Sequence, residues 1–129
     1  MKIAVIISRV LLGLIFVFFG LNGFFQFLHP DPKDMPTGLA LQFITAMMQS
    51  HYGLVVSGVQ VLGGALLLAN LFVPLSLALL GPVIVNILCF HIFLSPRGIA
   101  PGLVVAVLWF VLFFRYRQYF SGLFVQKAV

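Results

Sequence analysis

Charge is what this sequence has least of. Of its 129 residues only 7% are charged, and Asp31 and Asp34 are the two acids. A soluble domain carries about 25% charged residues, so this chain cannot cover a water-facing surface. The single cysteine, Cys89, excludes an intrachain disulfide. No CxxC is present either, which excludes dithiol–disulfide chemistry by the chain alone. Cys89 reads as a small buried hydrophobe. Alternation of apolar and polar residues is also missing, which argues against strands. What remains is 63% hydrophobic residues and a mean hydropathy of +1.23, the signature of a membrane-spanning chain. The length allows one domain, residues 1–129, built as a small bundle. The net charge of +5 comes from scattered residues flanking apolar runs. It reads as membrane topology, with no nucleic-acid partner.

Four apolar runs, over 3–28, 52–69, 71–94 and 98–114, are each long enough to cross a bilayer core of about 30 Å as a helix. Within the first, the stretch from Val10 to Leu28 follows Lys2 and Arg9 as in a signal peptide, but it is too long for one and no small-residue cleavage site follows, so it reads as a retained span. The fold class expected is therefore an all-α, four-helix integral membrane bundle. With four spans both termini share a side, which collects Lys2, Arg9, Arg115, Arg117 and Lys127, against Lys33 and Arg97 on the other. That excess predicts cytoplasmic termini.

Between the first two spans, Pro30, Pro32 and Pro36 forbid a continuous helix. After Thr37, a candidate N-cap, Gln42, Thr45 and Gln49 share one face while Leu39, Phe43, Ala46 and Met47 share another. This predicts a short amphipathic interfacial helix, either a lid that seals the bundle or a gate over a lipid-soluble ligand.

Depth along each span is set by the 1.5 Å rise per residue. It places Gln26, Asn22, Gln60, Asn86 and His91 at about 3, 9, 12, 13 and 6 Å below the outer surface. Asn22 and Gln26, four residues apart, share a face. Amides in hydrocarbon must face one another or a cavity, so this outer layer is either interhelical hydrogen bonding or a ligand site. Arg9, Gly13, Gly20 and Gly23 form one stripe on the first span, and Gly63 and Gly64 follow Gln60 on the second. Arg9 reads as a headgroup anchor first and a bundle partner second. Pro74 is tolerated at the start of the third span, whereas Pro82 should kink it one turn before Asn86. Asn86 would then satisfy a freed carbonyl or bridge to Gln60. No metal, haem or nucleotide motif is present.

The runs RVLLGLIFVFFGLNG (9–23), VQVLGGALLLANLFVPLSLALLGPVIVNILCFHIFL (59–94) and FRYRQYF (114–120) resemble the DoxX family of small bacterial membrane proteins. The resemblance covers nearly the whole chain and falls on Arg9, Gly13, Gly63, Gly64, Pro74, Pro82, Asn86 and His91. It implies a four-helix bundle of the bacterial inner membrane. Some relatives are subunits of quinone-linked oxidoreductases and others are associated with oxidative or thiol stress. Relatives often carry glutamate where this chain has Gln60, which keeps hydrogen bonds but carries no proton or charge.

The expectation is an accessory or anchor subunit in quinone-linked redox or oxidative-stress metabolism, not catalytic by itself. Asn22, Gln26, Gln60, Asn86 and His91 are its candidate ligand residues, and a quinone is the candidate cofactor. The electrons would come from a redox partner subunit. A homo-oligomer is a further candidate assembly. The alternative is a scaffold or assembly factor whose polar residues only lock the helices. Solute transport and ion conduction are weaker, lacking broken mid-membrane helices and a charged ring.

Overall fold

The computed structural model describes residues 2–128, and among them all regular structure is helical. Five α-helices follow in order: α1 Lys2–Phe25, α2 Gly38–Gln49, α3 Tyr52–Ala69, α4 Val73–Phe93 and α5 Ile99–Tyr116. Short 3-10 turns occupy Pro32–Asp34 and Pro96–Gly98, and a longer one, Arg117–Phe124, extends α5. Four helical stretches are long and apolar enough to cross a membrane: Lys2–Phe25, Tyr52–Ala69, Val73–Phe93 and Pro96–Phe124. Many large apolar side chains, among them Phe18, Phe19, Phe110 and Phe114, are exposed. Water would not tolerate so broad an apolar surface on a monomer, whereas lipid does. The chain is a multi-pass membrane protein by this measure.

The four long helices form a closed ring. α1 packs on α3, α3 on α4, α4 on α5, and α5 back on α1, while α2 lies against α3. One end of the ring carries the chain termini and the α3–α4 turn; the other carries α2 and the α4–α5 turn. They are called here the terminal end and the lid end.

Glycine decides the tightest crossing. A Cβ built on Gly64 would lie 2.8 Å from the Gly13 carbonyl oxygen, and one on Gly13 would lie 2.9 Å from that of Gly64. These are backbone atoms that cannot swing aside, so α1 and α3 approach this closely only with glycine at both positions. Further along α1, Gly20 faces Val61 and Gly23 faces Ser57. The small-residue stripe is therefore a close-packing face, and its partner is α3. On the next face of α3, Gly63 receives Leu80 of α4, and Ser76 Oγ donates to the Gly63 carbonyl at 2.7 Å. Between α4 and α5, the Trp109 indole donates to the Leu77 carbonyl at 2.9 Å and stacks on Phe113. Leu12, Phe16, Leu67, Leu77, Leu80 and Leu112 fill the centre.

Three expectations change. The first span ends at Phe25, not at 28, because Gln26 turns left-handed (φ 50°) and the chain leaves the helix there. α4 starts at Val73, not at 71, with Pro74 in its first turn and Pro82 inside it. Cys89 is exposed on α4, not buried. α4 is apolar nearly all round, so its sequence carries no face signal that could have placed the thiol.

Candidate functional site

α2 and α3 are joined through only Ser50 and His51, and His51 adopts a left-handed conformation (φ 62°). Gly53 lies against the Met47 carbonyl, so the elbow is tight. It lays α2 across the end of α3, and Phe43 of α2 meets Phe90 of α4 with ring centroids 5.5 Å apart. Thr37 precedes α2 in an extended conformation, as an N-cap residue does, although its side chain makes no cap bond.

Beneath this arch lies a cavity of about 680 Å³ between α2, α3 and α4. Its walls are mostly apolar, from Phe43, Met47, Val56, Ile87 and Phe90, and three groups expected to form the polar layer line it: Gln60, Asn86 and His91. All are uncharged or neutral-capable groups, and no acid borders the cavity.

Asn86 does not bridge to Gln60. Its amide donates to the Pro82 carbonyl at 2.9 Å, one turn back on its own helix. The carbonyl deprived of its helical partner by the proline ring is that of Ala78, so Asn86 is not its replacement donor. The second N–H and the Oδ1 of Asn86 remain for other partners. The Gln60 amide is outside the side-chain hydrogen bonds formed among the described residues.

His91 closes the last turn of α4. Its Nδ1 lies 3.0 Å from the Ser95 carbonyl oxygen, which can only accept, so Nδ1 carries the proton. In the neutral ring Nε2 is then an acceptor. Phe90 meets the ring edge-on at 5.1 Å, and a Cβ on Gly98 would reach its Cε1 at 2.8 Å, so the imidazole is wedged in place.

Asn22 and Gln26 do not join this site. The Gln26 N–H donates to the Asn22 carbonyl at 2.7 Å, and the Leu28 N–H donates to Asn22 Oδ1 at 2.9 Å. Asn22 thus caps the exit of α1, while Gln26 sits exposed past the helix end, off the face it would share with Asn22. The expected layer of five becomes a site of three.

Arg9 takes the second of its two expected roles, that of a bundle partner. Its guanidinium donates to the Leu67 carbonyl and, at 3.3 Å, to that of Leu68. It therefore caps the C-terminal turn of α3, whose last carbonyls lack helical partners. Asn70, left-handed at φ 56°, completes that terminus. Among the described residues no group of three or more His, Cys, Asp or Glu side chains is placed to hold a metal ion.

No family model, curated protein or solved structure matches the chain.

Proposed function

We propose that this chain is a bacterial inner-membrane protein with cytoplasmic termini whose lid-end cavity holds the ring of a quinone-class, lipid-soluble ligand. The observation that carries the reading is the convergence of Gln60, Asn86 and His91 in one apolar cavity. Such walls suit an uncharged aromatic ring, and a few polar groups suffice to orient it. The amide N–H groups of Gln60 and Asn86 can donate to ring carbonyls. His91 Nε2 can accept from the hydroxyl of the reduced form. The resemblance to the DoxX family supports a role as accessory or anchor subunit, with a redox partner supplying the electrons. The cationic excess at the terminal end supports the orientation; a reporter fused after Val129 should be active only in the cytoplasm.

The test is an apolar extract of the purified protein. Near-stoichiometric quinone is expected, with loss in a Gln60→Leu/Asn86→Leu variant. An empty extract, together with no binding of an added short-chain benzoquinone, sinks the reading. The scaffold reading is favoured by the local bonds of Asn22 and Asn86, which tie polar groups to their own chain segments. It gains if the same double variant lowers thermal stability and changes no ligand binding.

A further inference from the structure

The second cavity lies at the terminal end and has a different chemistry. It measures about 640 Å³ and is lined by Lys2, Val5, Ile6, Arg9, Asn70, Arg115 and Tyr116. Three of its seven residues are cations and none is an acid. Both acids of the chain, Asp31 and Asp34, lie in the loop at the opposite end, where Asp31 pairs with Lys33 at 3.8 Å. Among the described residues the cluster therefore has no acidic side chain beside it. Like charges drawn together repel, and an anion seated among them relieves that repulsion.

The cations are arranged in depth. Arg9 lies seven residues beyond Lys2 on α1, about 10 Å further into the bundle. Carbonyls hold it there, and they leave its charge uncancelled. Its guanidinium has five N–H donors in all, more than these two bonds use. Lys2 and Arg115 are exposed and stand at the rim, with the Arg115 guanidinium 5.5 Å from the Tyr116 ring centroid. Asn70 and Tyr116 add neutral donors, and Val5 and Ile6 an apolar wall. A floor cation, rim cations and an apolar side together match a phosphate joined to acyl chains.

We propose that this cleft binds the phosphate of an anionic membrane lipid, clamped between Arg9 below and Lys2 and Arg115 at the rim. The reading stands on the cleft alone and does not depend on the ligand of the lid-end cavity.

The test is native mass spectrometry of the full chain in detergent with equal amounts of phosphatidylglycerol and phosphatidylcholine of matched acyl chains. One phosphatidylglycerol per chain should be retained in preference. Each rim cation contributes about fivefold, so Lys2→Gln/Arg115→Gln should lose about thirtyfold of that preference. Lys2→Arg/Arg115→Lys, which keeps both charges, should retain it. Should the neutral double variant fail to fold, Lys2→Gln alone carries the test at about fivefold. Equal retention of the two lipids, or an unchanged preference in the neutral variants, overturns the proposal. Excess inorganic phosphate should leave the lipid adduct in place; displacement by phosphate would overturn a lipid as the occupant and make free phosphate the ligand.

Discussion

The two ends of the ring solve the problem of polarity in a membrane in opposite ways. At the lid end the polar groups are amides and an imidazole, set in an apolar cavity behind an amphipathic helix. At the terminal end they are full charges gathered in a second cavity, with the deepest one held by helix carbonyls. Neutral groups can sit within hydrocarbon when each finds a hydrogen bond, whereas a cation needs the interface or a counter-ion. The difference teaches that one small bundle can hold both neutral polar groups and full charges, provided they are kept at opposite ends.

The comparison breaks most completely if the ring itself is opened. Gly64→Leu should destabilise the protein by about 3 kcal/mol or more, because its side chain meets the backbone of Gly13 and Val17. Both ends should fail together in a thermal melt. A native-like transition would show that the close α1–α3 approach is dispensable.

Arg9→Met should separate the ends. Loss of a charged donor to the last carbonyls of α3 should cost about 2 kcal/mol and abolish lipid preference in the cleft. Quinone binding at the lid end should keep its affinity; a parallel loss would show that the ends are coupled. The Gln60→Leu/Asn86→Leu variant is the mirror experiment. Two ligand hydrogen bonds of about 1 kcal/mol each predict about thirtyfold weaker binding of a short-chain benzoquinone. Thermal stability and the lipid preference should stay as in the wild type.

Smaller effects sharpen the picture between the ends. Ser76→Ala removes the buried bond to the Gly63 carbonyl and should cost about 1 kcal/mol in chemical or thermal unfolding, with neither cavity affected. Cys89→Ala, at an exposed position, should change stability by less than about 0.5 kcal/mol. A larger loss there would mean that Cys89 packs against something outside the chain.

Much of this was legible in the residues. α3 spans 52–69 as expected, since His51 and Asn70 bound an unbroken apolar run. The outer-half placement of Gln60, Asn86 and His91 followed from the rise per residue alone, and they do line one cavity. Asn22 and Gln26 were misplaced because an i, i+4 argument requires the helix to continue. In the run FFQFL no glycine or proline announces the left-handed exit at Gln26. The partners of Arg9 were illegible for another reason. They are main-chain carbonyls, available at any helix end, and no residue type marks them. A C-terminal aromatic also reaches the bundle core. Phe120 is buried with Val5 and Leu112, its ring 5.2 Å from that of Phe113.

Ring closure also sets an order on the molecule's own making. The lid-end cavity draws on residues between Phe43 and His91, so its walls are complete once α4 has been synthesised. The cleft draws on Lys2 to Arg9 and on Arg115 and Tyr116, from the two extremes of the chain. Until α5 is in place, the α1 face that will meet it must be shielded by lipid or by the insertion machinery. The contact that joins first helix to last is the one of longest sequence separation, and such contacts form late. The cleft thus reports ring closure: only a chain whose α5 has been inserted against α1 brings its three cations together.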